Sequence, residues 1–259
     1  MKKQLFATTI ALLVYTAHAA PCDTTTDKGA LANARTPLMY SARAGDIKNV
    51  RCLLDNGADP NEADGGGRRA ILFAAAKKHT DIVRLLIEKG ADVNATDENG
   101  WTQLMEAAIN GHTDAVRLLI EHGADINAAN ERGSTALMMS TISGYADIAK
   151  LLIEKGANVN ATDKYGKTAL MTASHNLRRN DTVPLLINGG ANINAATKDG
   201  FTALMGASYK GQTDTVRLLI EKGVNVNAVD KDGSTALMRA VKQGHTDIAN
   251  MLRAAGAKK

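Results

Sequence analysis

Apolar and polar positions along this chain recur in a fixed order. A Val-x-Leu-Leu-Ile cluster, as at Val83 to Ile87 and Val216 to Ile220, is followed by two polar residues and a glycine. These glycines stand at Gly57, Gly90, Gly123, Gly156, Gly190, Gly223 and Gly256. Every step is 33 residues except the 34 between Gly156 and Gly190. A period of this length marks stacked supersecondary units rather than one closed core.

Each unit predicts two helices. Gly-x-Thr-Ala-Leu-Met, at 133–138, 166–171, 200–205 and 233–238, opens the first, with Thr135, Thr168, Thr202 and Thr235 placed to cap it. Thr36-Pro37 follows the same logic, since proline suits the first helical position. Small residues such as Ala107-Ala108 and Ala207-Ser208 let helices approach closely, and Gly111, Gly144, Gly211 and Gly244 reverse the chain. The second helix is expected near Thr80-Asp81, Thr113-Asp114, Thr213-Asp214 and Thr246-Asp247, with the carboxylate against the positive end of the helix dipole. The recurring glycine then ends it in a left-handed conformation. Asp-x-x-Gly at 97–100, 163–166 and 230–233 supplies the following tight turn.

The units run over about 31–63, 64–96, 97–129, 130–162, 163–196, 197–229 and 230–259. One alone buries too few aliphatic side chains to offset the entropy of ordering it, so the units must stack and the end units must differ. Both ends do differ. The apolar position of Ile87, Ile120, Ile153, Ile187 and Ile220 becomes Arg253 in the last unit, and that of Ile82 and Ile148 becomes Asn49 in the first.

The phrases Thr-Pro-Leu-Met-x-x-Ala at 36–42, Gly-His-Thr-Asp at 111–114 and Gly-Ala-Asp-Val-Asn-Ala at 90–95 resemble the ankyrin-repeat family, from about Leu31 onward. The resemblance implies an all-α solenoid of about seven helix-turn-helix repeats with hairpin-like fingers, and a protein partner on the concave side. One departure is systematic. Where the family has histidine after Thr-Pro-Leu, this chain has Met39, Met105, Met138, Met171, Met205 and Met238, with Leu72 in the second repeat. The hydrogen bonds of that histidine are unavailable to methionine. At helical core spacing the row reads as packing; a soft binding surface or a metal-binding ladder are the other readings.

The chain opens on Met1-Lys2-Lys3, continues with a mostly apolar run from Leu5 to Tyr15 and reaches Ala17-His18-Ala19. That order reads as a secretory signal peptide over 1–19, followed by an extension over 20–30. The apolar run is shorter than the roughly 20 residues of a membrane span. Pro21 is a poor neighbour for a lipid-modified Cys22, so soluble export is expected, to the periplasm first and the extracellular space second. In an oxidising compartment Cys22 and Cys52 can pair, closing a loop of about 30 residues worth about 3–4 kcal/mol if unstrained. The other reading is a buried Cys52 and a loose Cys22.

Composition narrows the function. Aromatics are 3% of the chain, in keeping with packed aliphatic helices. Loss of Lys2 and Lys3 takes the formal net charge from +4 to +2, which makes no electrostatic case for nucleic acid or a membrane surface. Catalysis has little support. His79, His112 and His245 occupy one equivalent position, which suits turn support, and His122 follows Glu121 at a helix end. Gly65-Gly66-Gly67 is followed by no lysine, so it is no phosphate loop. Asp92, Asn94, Asp125, Asn127, Asn160, Asn194 and Asn227 read as turn residues. No cofactor and no metal site is expected.

Positions where repeats differ carry the functional reading. The residue before the capping threonine is Trp101, Ser134, Lys167, Phe201 and Ser234; the first helices end at Ile109, Ile142, His175, Tyr209 and Lys242. Trp101, Ile109, Ile142, Tyr165, Phe201 and Tyr209 are candidates for an aromatic-apolar strip that anchors a partner. Alternatively, each ring packs on the next hairpin. Repeat five carries the extra residue, in a loop with Arg178 and Arg179 that either meets an acidic partner or has drifted; Pro184 requires its second helix to start near Asp181. The expected function is an exported, monomeric, non-enzymatic scaffold for another protein. The competing roles are a secreted effector acting on a host or rival cell and a protective binder of a toxin or enzyme in the envelope.

Overall fold

The computed structural model describes residues 22–24, 35–176 and 181–258. The expected leader, most of the extension, and Arg178 and Arg179 lie outside the described residues. Among those described, seven helix pairs follow one another: α1 (Pro37–Ala44) and α2 (Ile47–Asp55), α3 (Ala70–Ala76) and α4 (Thr80–Glu88), α5 (Gln103–Asn110) and α6 (Thr113–Glu121), α7 (Ala136–Ser143) and α8 (Ala146–Glu154), α9 (Ala169–His175) and α10 (Thr182–Asn188), α11 (Ala203–Lys210) and α12 (Thr213–Glu221), and α13 (Ala236–Lys242) and α14 (Thr246–Ala254). Each first helix packs on the first helices either side, and second helices pack likewise but less closely. The row therefore curves with its first helices on the inner side.

The threonine caps form as expected: the hydroxyls of Thr36, Thr102, Thr135, Thr168, Thr202 and Thr235 accept from the backbone N–H three residues on, at 3.2–3.4 Å. The second repeat departs twice. Arg69 stands at the cap position and does not cap the helix; its guanidinium donates instead to the carbonyls of Asn61, Gly67 and Thr96. In the turn after α3, where repeats one, three, four, six and seven have glycine, Lys78 adopts φ 64°. In the fifth repeat Pro184 is the third residue of α10, where its ring displaces no intrahelical hydrogen bond.

Methionine packing holds along the interior: Met39, Met105, Met138, Met171 and Met205 are at most 4% exposed and Leu72 is 7% exposed. Met238 is the exception at 44%, because no repeat among the described residues covers the far side of α13.

The asparagines do more than turn the chain. Asn61, Asn94, Asn127, Asn160, Asn194 and Asn227 each accept, through Oδ1, a backbone N–H of the next repeat at 2.7–2.8 Å. All but Asn194 also donate through Nδ2 to the carbonyl of the next repeat's terminal glycine. Asp92 and Asp125 are the turn residues proper, each accepting from the N–H two residues on. At the finger tips a second ladder runs through the backbone, from Glu98 N–H to Gly66 O, Glu131 to Asn99, Lys164 to Arg132, Lys198 to Tyr165 and Lys231 to Asp199, at 2.9–3.0 Å.

The two ends are built differently. Arg253 is solvated. Asn49 is instead an anchor: it accepts from Asp23 N–H and donates to Asp23 O, both at 2.9 Å, and to Ser41 Oγ at 2.8 Å. Beside it Cys22 is bonded to Cys52 with their Cα atoms 5.6 Å apart.

Two stability measurements follow. Met171→Ala should cost about 2–5 kcal/mol in urea unfolding and Met238→Ala well under half of that, because only the first opens a closed cavity. Lys78→Gly should raise the midpoint by the equivalent of about 0.5–1 kcal/mol, since relief of a left-handed lysine outweighs the added unfolded-state entropy.

Candidate protein-binding surface

Finger tips and first helices together line the inner side of the row. The tip position before each cap is held in turn by Arg35, Arg68, Trp101, Ser134, Lys167, Phe201 and Ser234. Five residues on, one turn into the first helix, stand Tyr40, Phe73, Glu106, Met139, Thr172, Gly206 and Arg239. Sequence reasoning singled out the first row from repeat three onward and missed the second. The signal was available: between a constant apolar residue and a constant Ala or Ser, these seven positions hold seven different residue types.

The two rows touch. Trp101 Nε1 donates to Glu106 Oε2 at 2.8 Å. The guanidinium carbons of Arg35 and Arg68 lie 4.8 and 5.6 Å from the centre of the Phe73 ring. Arg239 lies 5.2 Å from the centre of Phe201. Phe201 itself rests over Gly206, where a Cβ would meet its Cζ at 3.4 Å.

Contacts gather the expected strip into two clusters. In the first, Trp101 is half-buried and walls two adjoining clefts. One, of about 280 Å³, lies between Arg68, Phe73 and Glu106; the other, of about 360 Å³, is bounded by Asn99, Glu131 and Arg132. In the second, His175 stacks on Tyr209 at 5.9 Å between centres and meets Phe201 edge-on at 6.3 Å. Ile109 packs partly into the core. Ile142 is 47% exposed and Tyr165 71%, the latter on its finger.

Two buried carboxylates brace the arginines. Asp64 accepts from the N–H groups of Gly66 and Arg68 at 3.0 Å and pairs with Arg68 Nη2 at 2.8 Å and Arg35 Nε at 3.5 Å. Burial pushes its acidity toward the neutral form, but the Arg68 side chain and the two N–H groups outweigh that and hold its pKa below the usual carboxylate value. Asp230 follows the same pattern with Ser234, Asp232 and Arg239. His175 is depressed by its burial first, then by Lys210, Lys167 and Arg239.

The recurrent histidines are cross-repeat struts. His79, His112 and His245 precede α4, α6 and α14, and each Nε2 lies 3.1–3.2 Å from a carbonyl of the previous repeat, at Arg43, Ala76 and Tyr209. Gln212 reaches Asn176 O the same way at 2.8 Å. A Cβ at Gly45 would sit 2.5 Å from the His79 ring and one at Gly111 would sit 2.4 Å from the Tyr145 ring, so these turns exclude other residues sterically as well as conformationally.

The family model described as ankyrin repeats, in three copies, matches residues 6–97, 38–130, 104–197 and 170–259. The chain belongs to the ankyrin-repeat family. No curated protein matches it. An ankyrin array is a protein-interaction scaffold, and the two variable rows described above are one part of this one in which neighbouring repeats are not interchangeable. Among the described residues, no group of three or more His, Cys, Asp or Glu side chains is gathered to hold a metal ion, and no helix is long and apolar enough to cross a membrane.

Asp64 yields a pH test of how this ankyrin surface is braced. A depressed carboxyl pKa stabilises the fold above the unfolded value near 3.8 and that contribution disappears as pH falls through the folded value. Asp64→Asn should lower stability at pH 7 by about 1–3 kcal/mol. Its unfolding midpoint should also fall less steeply than wild type below pH 4, measured by urea titration at a series of pH values.

Proposed function

We propose that this ankyrin-repeat chain is an exported, monomeric, non-catalytic scaffold that holds one protein partner on its inner surface. The observation that carries the reading is the second variable row. Seven consecutive repeats keep most of their seam residues and change the first-helix residue five positions after the finger tip. Phe73 and Met139 of this row also pack into the core, but Tyr40, Glu106, Thr172 and Arg239 are partly exposed, and their individuality suits recognition of a particular surface. Trp101 adds a large half-buried ring between two clefts, the arrangement in which aromatic anchors contribute most to binding.

Two features support an oxidising, exported setting: the leader-like order of residues 1–19, and the bond between Cys22 and Cys52. The periplasm is the proposed site of action, with the extracellular space as the alternative.

The test is affinity capture from envelope extracts with the chain from Ala20 onward, beside a variant carrying Trp101→Ala, Tyr165→Ala and Phe201→Ala. Recovery of the wild-type partner should fall at least tenfold, about 1.4 kcal/mol or more, while circular dichroism and the melting profile stay ankyrin-like. Equal recovery by both would place the interface elsewhere.

A further inference from the structure

The two clusters of the inner surface differ in charge. Around Trp101 and Phe73 the arginines have carboxylates beside them: Arg35 and Arg68 share buried Asp64, and Glu106 takes the indole N–H. Around Phe201 and Tyr209 the balance is otherwise. His175 at the end of α9 meets both Phe201 and Tyr209, and Arg239 in α13 lies 5.2 Å from the centre of Phe201. Lys210 at the end of α11 adjoins Tyr209, and Lys167 stands at the tip position of the fifth finger. Burial first, and then these three cations, depress the His175 pKa. Arg239 has a carboxylate, Asp230. Lys167 and Lys210 have none among the described residues. Lys210 Nζ instead lies 5.3 Å from the centre of the Tyr209 ring.

The rings beneath these cations form a floor. Tyr209, stacked on half-buried His175, is 37% exposed, and Ile142, at the equivalent position two repeats before Tyr209, is 47% exposed. The surface therefore offers apolar faces for a backbone and aliphatic stems, with the Lys210 ammonium over Tyr209 and Lys167 on the adjoining finger, neither paired with a carboxylate among the described residues.

Resting on the scaffold reading above, we infer that the inner surface of repeats four to seven takes an acidic peptide segment of the protein partner, its carboxylates paired with Lys167 and Lys210 and its apolar atoms laid on Tyr209 and Ile142. Two lysines and an arginine already paired with Asp230 do not track a polyphosphate backbone. The flanking fingers also carry exposed Asp232, while Asp199 is already paired with Lys231 at 3.0 Å, which leaves room for a short segment with two or three carboxylates rather than a long polyanion. The lysines act here as point charges, which suits single carboxylates on a flexible chain.

The experiment uses a fluorescein-labelled twelve-residue peptide alternating Glu and Leu, its Gln/Leu counterpart and a labelled single-stranded oligonucleotide, titrated with the chain from Ala20 onward. Binding is read by anisotropy at 20 and 200 mM salt. The acidic peptide should bind about tenfold tighter than the neutral one, lose that margin in Lys167→Gln/Lys210→Gln, and weaken with salt. The double variant should keep the wild-type melting temperature, since neither lysine braces the fold. Equal binding of the two peptides, or an undiminished margin in the double variant, overturns the inference; tighter binding of the oligonucleotide overturns it in favour of a nucleic-acid surface. The two readings separate in the capture assay. If the Trp101/Tyr165/Phe201 variant loses the partner and the lysine variant keeps it, only the acidic-segment assignment fails; if the aromatic variant keeps the partner, the scaffold's placement fails too.

Discussion

Every helix pair in this chain ends on a left-handed glycine whose carbonyl has no further helical partner, and the structure rests on how that group is satisfied. At Gly90, Gly123, Gly156, Gly190 and Gly256 the asparagine of the preceding repeat fills the need. Its amide donates to the glycine carbonyl while its oxygen takes the N–H two residues beyond, so one side chain closes both groups across the junction. A repeat without its neighbour would leave that asparagine idle and expose the aliphatic flank of its helices. Stacking is thus required by backbone hydrogen bonding as well as by apolar burial.

This arrangement separates the chain into positions that must stay alike and positions free to differ. The asparagine clips, threonine caps and buried methionines serve the seam, and they recur. The finger tips and the first-turn residues of the inner helices vary, although Phe73 and Met139 among the latter are themselves buried in the seam. Where a varied residue is large, its neighbour yields: Phe201 has Gly206 beneath it, and Trp101 has Glu106 as a partner for its N–H. The inner surface is tuned pairwise, within a frame that does not change.

Much of this was legible from the residues alone. Helix pairs, caps, the left-handed glycines and the position of Pro184 are local consequences of spacing, and periodicity displays whatever is repeated. What escaped was of two kinds. Contacts between equivalent repeats join residues about 30 apart, so the asparagines read as turn formers and the histidines as local supports, although both reach across a junction. Exceptions also hide in a periodic pattern: Arg69 without a cap, Lys78 in a glycine conformation and Asn49 holding the extension each look like ordinary polar substitutions. The aromatic candidates read as a single strip, whereas their contacts form two groups, because His175 stands where repeats three and four have isoleucine and draws Phe201 and Tyr209 together.

The covalent bond from Cys22 to Cys52 has a consequence for how the row comes apart. In a one-dimensional stack, opening begins at an extremity, and here only one extremity is bolted. Asn49 and the disulfide secure the first helix pair, whereas the seventh pair exposes Met238 and Val241 with none of the described residues laid over them. Fraying therefore has a direction, inward from the final repeat, and the aromatic-basic cluster of repeats five to seven lies on the half that loosens first. A guest bound there would act as a splint, ordering the weak end of the array as it is itself held.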